Sequence, residues 1–429
     1  MPPLTNPPTI RVAARSVAQL AHLRTNDLRA AAQLATSATR SVARIAEGVN
    51  QAVWSTLGAP SGKTAMHTRG ITGLVFQSVQ GITGMVGKGV DAALSKLLAH
   101  TEIADNHHGT PQADSPKREA VLAALNGVLG DHLASSGNAL ATPMTLRYQG
   151  EALRWQVMPA KSQVSGKVLL LIHGLCMNDL QWRTTSAAGN LVDHGATLAA
   201  AMHATPVYLR YNTGLHTSTN GQDLCQQLEQ LQQHWPKRIT ELTIIVHSMG
   251  GLVARSAVHT AQATNAAWLK KLKSLVFLGT PHHGAPLEKA GNWVDVILGS
   301  TPYSRPFAKL GQLRSAGITD LRYGNTLDTH WQGQARFDRA PDQRVLLPLP
   351  SKVACYTVAG TTAAKRSVLA ERLVGDGLVT LRSALGQHDD AARSLQFDPV
   401  RTLIAYRTNH MQLLSSAAVG AQLVRWLAP

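Results

Sequence analysis

The run from Glu241 to Arg255 (ELTIIVHSMGGLVAR) constrains the fold of this chain more than any other stretch. A β-branched apolar segment of strand character breaks at Ser248, between small residues, and continues as a helix. This is the layout of a nucleophile elbow. A serine on so sharp a turn projects its Oγ out of the sheet. The first turn of the helix aims free backbone N–H groups and its positive dipole end at the same place. Attack and oxyanion stabilisation then share one location. A glycine-rich connection with an idle serine would look similar in isolation, so the reading depends on what else the chain supplies. Val246 stands where the G-x-S-x-G pattern has its first glycine, while Gly250 holds the second position and Gly251 follows. A branched residue there crowds the turn, so the elbow is expected to open slightly or to be relieved by a small neighbour on the facing strand.

Three further segments carry the groups that a serine nucleophile needs. Lys167 to Ile172 reads as a fully buried strand that ends in His173-Gly174-Leu175. The Leu175 and Met249 N–H groups are the expected oxyanion hole. An apolar run from Val353 to Ala359 precedes a loop with Gly375-Asp376-Gly377, where a carboxylate between flexible residues can reach inward to a histidine. Arg401 to Tyr406 reads as a strand and Met411 to Leu427 as an apolar-periodic helix, with Asn409-His410 on the loop between them. His410 is the expected general base. Serine is a poor nucleophile at neutral pH, so an imidazole must take its proton and a buried carboxylate must fix the tautomer of that imidazole. Asp320, Asp328, Asp389 and Asp390 also lie between the serine and His410, but the flanking glycines and the preceding strand favour Asp376. His282 and His283, just after the strand Ser274 to Leu278, are expected to brace active-site loops through their ring N–H groups. Neither has a metal-motif partner, and no metal or organic cofactor is expected.

These segments, together with Leu278-Gly-Thr-Pro-His282-His283-Gly284, resemble an α/β-hydrolase of the lipase and esterase kind. The resemblance is to the group that includes bacterial triacylglycerol lipases and GPI inositol-deacylase-like proteins. It runs from about residue 165 to the C-terminus and implies a mostly parallel central sheet with helices on both faces. It also implies a relay of Ser248 as nucleophile, Asp376 as orienting acid and His410 as base, with His173, Gly174, His247 and Gly250 supporting the elbow and its facing loop. A long insertion, about 285–350, holds Trp293, Ile297, Tyr303, Phe307 and Trp331. In this architecture it lies above the serine as a cap whose apolar side forms part of an acyl pocket.

Residues 1–135 stand outside the resemblance and read as a helical region with helices near 26–57, 71–98 and 115–133, ahead of a catalytic domain over 136–429. Thr101 to Asp114 reads as a linker, and Ser115-Pro116 caps and opens the third helix. The catalytic domain is expected to open with strands around Met144 to Tyr148 and Ala152 to Met158. Gly70 to Gln80 and Gly81 to Asp91 form an 11-residue repeat. That period keeps Ile71, Leu74, Val75, Val79, Ile82, Met85, Val86 and Val90 on one face of a nearly straight helix. The hydrolase body would cover such a stripe; the alternative is peripheral association with a membrane or lipid surface through residues 70–98. Gly58 to Thr64 mimics a phosphate loop, but it lacks one residue between its glycines and follows a helix, so no nucleotide site is assigned.

The net charge of +16 is spread along the chain, without zinc-finger spacing or an RNA-recognition signature, and no nucleic-acid partner is expected. Cys176, Cys225 and Cys355 form no disulfide pattern, no secretory signal is read at the N-terminus, and the expected setting is cytoplasmic. The expected activity is hydrolysis of hydrophobic acyl esters through an acyl-enzyme. A thioesterase or acyltransferase with the same residues is the nearest alternative. A non-enzymatic protein of lipid or storage-granule surfaces is the more distant one.

Overall fold

The computed structural model describes residues 116–186, 188–285, 315–333, 344–364 and 375–429. The two earlier helices, the repeat and its stripe, the Gly58 to Thr64 loop and most of the 285–350 insertion lie outside these residues. The described strands are β1 (Thr145–Tyr148), β2 (Glu151–Ala152), β3 (Lys167–Ile172), β4 (Arg183–Thr185), β5 (Leu191–Asp193), β6 (Thr205–Arg210), β7 (Glu241–His247), β8 (Leu272–Leu278), β9 (Ala354–Thr361) and β10 (Thr402–Tyr406). The helices are α1 (Pro116–Ser135), α2 (His194–Met202), α3 (Thr217–His234), α4 (Gly250–Thr264), α5 (Ala316–Tyr323), α6 (Leu381–Ala384) and α7 (Ala417–Leu427).

Eight strands form one sheet in the order β10-β9-β8-β7-β3-β6-β1-β2, and β4 and β5 pair separately. From β10 to β6 every neighbouring pair is parallel. β1 runs antiparallel to both β6 and β2 at the edge. Parallel strands need crossover connections, and these cover both faces. Alternation along the strands sorts the core accordingly. Leu170 and Ile172 of β3 and Ile244 and Val246 of β7 join Leu224 and Leu228 of α3 and Val253 and Ala257 of α4. Leu169, Leu171 and Ile245 face the other way, with Leu198 of α2 and Val419 and Leu423 of α7. This is an α/β-hydrolase fold.

A third apolar cluster lies at the carboxyl edge of the sheet. It joins Val121, Ala124, Leu125 and Val128 of α1 and Ile318 and Leu321 of α5 to Leu175, Met249, Leu378 and Val379. Two glycines bring α1 in closely. A Cβ on Gly127 would lie 2.2 Å from Cys176 Sγ and 3.0 Å from Cys176 Cα, and one on Gly130 would lie 1.8 Å from Asn212 Oδ1. Buried charges fasten the same helix: Glu119 accepts from Arg210 Nη1 at 2.5 Å, and Arg210 Nε also pairs with Asp179, which lies 3.2 Å from Arg147 Nε. The helix expected near 115–133 is thus packed against the segment that follows β3.

Several local expectations need correction. The segment expected to be a strand from Ala152 to Met158 is regular only to Ala152, and beyond it a single bridge joins Arg154 and Val157. Leu153 N still donates to Leu146 O at 2.8 Å, and beyond it the chain turns back on itself, Val157 N donating to Arg154 O at 2.8 Å, so the stretch no longer follows β1. The helix expected from Met411 to Leu427 is divided into a 3-10 turn, Met411–Leu414, and α7, because Ser416 caps the second helix by accepting from Val419 N at 3.3 Å. Nor is Val246 relieved by a small strand neighbour, since its register partners are Ile172 and Phe277. It instead joins the cluster containing Val253, Ala254 and Ala257 of α4.

Gly127→Ala tests the close approach of α1. Helix propensity alone would stabilise the protein by about 1 kcal/mol. The contact with Cys176 should reverse that sign, giving a loss of roughly 1–3 kcal/mol in urea unfolding.

Candidate active site

Ser248 directly follows β7 with φ +55°, a left-handed conformation uncommon for a residue with a side chain. Its N–H donates to Leu278 O at 2.9 Å, which ties the turn to β8. The helix that follows can start there only because its first residue is glycine. A Cβ on Gly250 would lie 2.7 Å from His173 O and 2.8 Å from Ile172 O. From the opposite loop, Gly174 approaches so closely that its Cβ would stand 2.9 Å from Ser248 Cβ. Ser248 is 3% exposed.

Asp376 follows β9 and His410 follows β10, so both stand with Ser248 at the carboxyl edge of the parallel strands. His410 Nδ1 donates to Asp376 Oδ2 at 2.7 Å, and His410 N donates to Asp376 O at 2.9 Å. The other carboxylate oxygen accepts from Leu378 N at 3.0 Å and Val379 N at 2.8 Å. With its Nδ1 proton committed to the carboxylate, the neutral imidazole presents Nε2 as a lone pair. Gly279 at the end of β8 leaves room for this pair, since a Cβ there would lie 3.2 Å from both Asp376 Oδ2 and His410 Cε1.

The competing acids are engaged elsewhere. Asp320 accepts from His216 Nδ1 at 2.9 Å, from Thr217 N at 2.8 Å and from Asn325 Nδ2 at 3.0 Å. Asp328 accepts from Gln222, Asp389 from Arg382, and Asp390 lies 3.7 Å from Arg393. Trp331, expected in an acyl pocket, stacks on His216 at 3.7 Å and donates to Ser218 Oγ at 3.0 Å.

Leu175 and Met249 are buried, and no acceptor takes the amide N–H of either among the described residues. The loop bearing Leu175 is held from several sides. His173 Nδ1 donates to Gly174 O at 2.9 Å, Tyr211 Oη donates to His173 O at 2.9 Å, and Cys176 N donates to Thr213 Oγ1 at 3.1 Å. The His173 and Tyr211 rings stack at 4.5 Å. His247 packs 4.7 Å from the His410 ring and donates from Nε2 to His410 O at 3.1 Å. The segment with His282 and His283 meets the stretch after Asp376. His283 N donates to Ser383 Oγ, His283 Nε2 to Gly386 O, and His282 N to Ser383 O. Sequence reasoning missed the part of α1 in this site, although its Gly127 and Gly130 carried the signal of a close approach.

Burial keeps the supporting histidines neutral. It lowers His173 to about 4 and holds His247 well below the ordinary value, with the neighbouring His410 adding to the effect in His247.

A family described as a domain of unknown function (DUF7379) matches residues 135–320. No curated protein matches the chain. Among solved structures, the mature form of the Bacillus licheniformis lipase BlEst2 is 16% identical with a TM-score of 0.41, covering 67% of this chain and 100% of its own. Aspergillus fumigatus lipase B is 11% identical with a TM-score of 0.40, covering 93% and 85%. The RedJ thioesterase of the prodiginine pathway in Streptomyces coelicolor is 12% identical with a TM-score of 0.33, covering 61% and 89%. These likenesses are too distant to bear on substrate, and the fold class rests on the sheet order and register above.

The neutral histidines predict how stability depends on pH. Between the unfolded value of 6.5 and the depressed folded values, the unfolded chain binds more protons than the folded one. The stabilisation is complete above pH 6.5 and is lost as pH falls towards about 4. Urea unfolding should therefore weaken over that window, by on the order of 1 kcal/mol per pH unit for each fully buried ring. His247→Gln should flatten the slope, and a wild-type stability constant from pH 6.5 to 4.5 would contradict the assignment.

Proposed function

We propose that this protein is a serine ester hydrolase of the lipase and esterase kind, in the group that includes bacterial triacylglycerol lipases and GPI inositol-deacylase-like proteins, acting on hydrophobic acyl esters in a cytoplasmic setting. The observation that carries the reading is the Asp376–His410 hydrogen bond of 2.7 Å, formed at the sheet edge that also bears the positive-φ turn at Ser248. The other named acids face different partners.

In this mechanism Ser248 Oγ attacks the ester carbonyl carbon while His410 Nε2 takes its proton. Asp376 stabilises the resulting imidazolium, having already fixed its tautomer. The Leu175 and Met249 N–H groups receive the developing oxyanion. Their lack of internal acceptors supports that role, since a donor already satisfied would gain little from the transition state. His410 then protonates the leaving alkoxide, and the acyl-enzyme is released by water that loses its proton to the same nitrogen. The neutral His173 and His247 support these groups through the loop carbonyls and add no positive charge that would disfavour the imidazolium.

A fluorophosphonate should label Ser248, and Ser248→Ala should lower turnover of short activated esters by roughly a thousandfold or more without changing the fold. Retention of near wild-type turnover would sink the nucleophile assignment. Asp376→Asn should damage turnover while leaving KM largely intact; Asp320→Asn should not affect the chemical step. A reversed result for the two acids would move the orienting role to Asp320. A panel of ester, thioester and phospholipid substrates separates the ester reading from thioester cleavage.

A further inference from the structure

The chain leaving β6 is bonded through two of its side chains to the loop that carries Leu175. Tyr211 Oη donates to His173 O at 2.9 Å, and Thr213 Oγ1 accepts from Cys176 N at 3.1 Å. The two bonds meet the loop on either side of Gly174-Leu175. Cys176 itself has φ +58°, a left-handed conformation uncommon outside glycine, so the backbone turns sharply directly after Leu175. Cys176 is buried, and its N–H would lose this acceptor if the Thr213 hydroxyl were removed. A buried donor left without an acceptor is costly, so removing the hydroxyl favours loop conformations other than this one.

Both side chains belong to a segment that is itself fixed. Asn212 Nδ2 donates to Gly130 O of α1 at 2.9 Å, Asn220 Nδ2 of α3 donates to Asn212 O at 3.0 Å, and Gly317 N of α5 donates to Gly214 O at 3.0 Å. Three helices thus anchor the short stretch that presents Tyr211 and Thr213. The loop they hold stands against the serine, since a Cβ on Gly174 would lie 2.9 Å from Ser248 Cβ. A backbone N–H lowers the barrier only if it is aimed before charge develops, because reorienting it during the reaction would offset the gain.

We propose that Tyr211 and Thr213 are positioning residues for ester cleavage: their two bonds bracket Gly174-Leu175 and hold the Leu175 N–H for the oxyanion that forms beside Ser248. Tyr211 is 2% and Thr213 1% exposed, so they act through the loop and not by contact with substrate. Their role rests on Ser248 being the nucleophile and the Leu175 N–H an oxyanion donor, as proposed above.

Steady-state kinetics of the full chain on a short activated ester test this with two variants. Thr213→Val keeps the branched shape and removes the acceptor, whereas Thr213→Ser restores it. Thr213→Val should lower kcat by roughly ten- to a hundredfold, with KM changed by less than about threefold. The inhibition constant of an alkyl boronic acid, whose serine adduct is a tetrahedral anion, should rise by a comparable factor. Thr213→Ser should recover most of the activity. The pH dependence of kcat should keep its midpoint in every folded variant, because the Asp376–His410 pair is untouched. Should Thr213→Val fail to fold, Tyr211→Phe, which removes the bond to His173 O, should show the same kcat-selective loss, about fivefold or more, with unchanged circular dichroism. An active wild type with kcat retained in folded Thr213→Val or Tyr211→Phe, or Thr213→Ser as impaired as Thr213→Val, would overturn the positioning role and leave the nucleophile assignment standing. A wild type that neither turns over esters nor is labelled at Ser248 by a fluorophosphonate would overturn both.

Discussion

The left-handed turn at Ser248 is the constraint around which the rest of the structure is arranged. A residue with a side chain in that conformation costs about 1–3 kcal/mol, so its surroundings must leave it no alternative. β7 pairs with β3 on one side as far as Val246 and with β8 on the other as far as His247, so the strand cannot slip to relax the turn. Gly250 lets the helix begin directly against the carbonyls of Ile172 and His173, and Gly174 lets the neighbouring loop close on the serine. A side chain at either glycine would separate β7 from β3 at the point where their loops must meet.

The electrostatics of the site divide between held charge and suppressed charge. Asp376 accepts from two backbone amides and from His410, which together fix the orientation of its carboxyl group. His173 and His247 sit close by and are kept neutral by desolvation. Their rings orient carbonyls without competing for the carboxylate. On the other side of the Leu175 loop, Glu119, Arg210, Asp179 and Arg147 form a buried ion network joining α1, β6, β1 and the 3-10 turn after that loop. Removing one partner from such a network leaves a charge uncompensated and costs about 3–5 kcal/mol. The network thus ties α1 to β6 alongside the contacts of its apolar face.

Ion pairing is not uniform, however. Arg255 is as buried as Arg210, but among the described residues its hydrogen-bond neighbours are carbonyls and an imidazole and not carboxylates. The high positive charge of the chain therefore includes one cation drawn into the protein beside idle donors. The two arginines differ in what their surroundings supply, which no feature of the isolated residues foretells.

The sheet, the strand-to-helix turn at Ser248 and the loops that carry Asp376 and His410 beyond strand ends were legible in the sequence because each is announced within a few residues. Apolar runs mark strands, and glycines mark the places where the backbone must turn or approach closely. Local signals misled where two forces competed: the apolar periodicity from Met411 to Leu427 masked the cap at Ser416, and Val246 was judged by its strand neighbours although its side chain faces the following helix. Only the tertiary structure decided that Asp376 meets His410 while Asp320 meets His216, that α1 backs the Leu175 loop, and that Arg255 donates to the Leu347 carbonyl. The physical reason is range. Conformational preference acts between residues adjacent in sequence, whereas a charge or a polar hydrogen finds its partner through space. The chain folding over tens of residues brings Asp376 and His410, or Glu119 and Arg210, within hydrogen-bond distance.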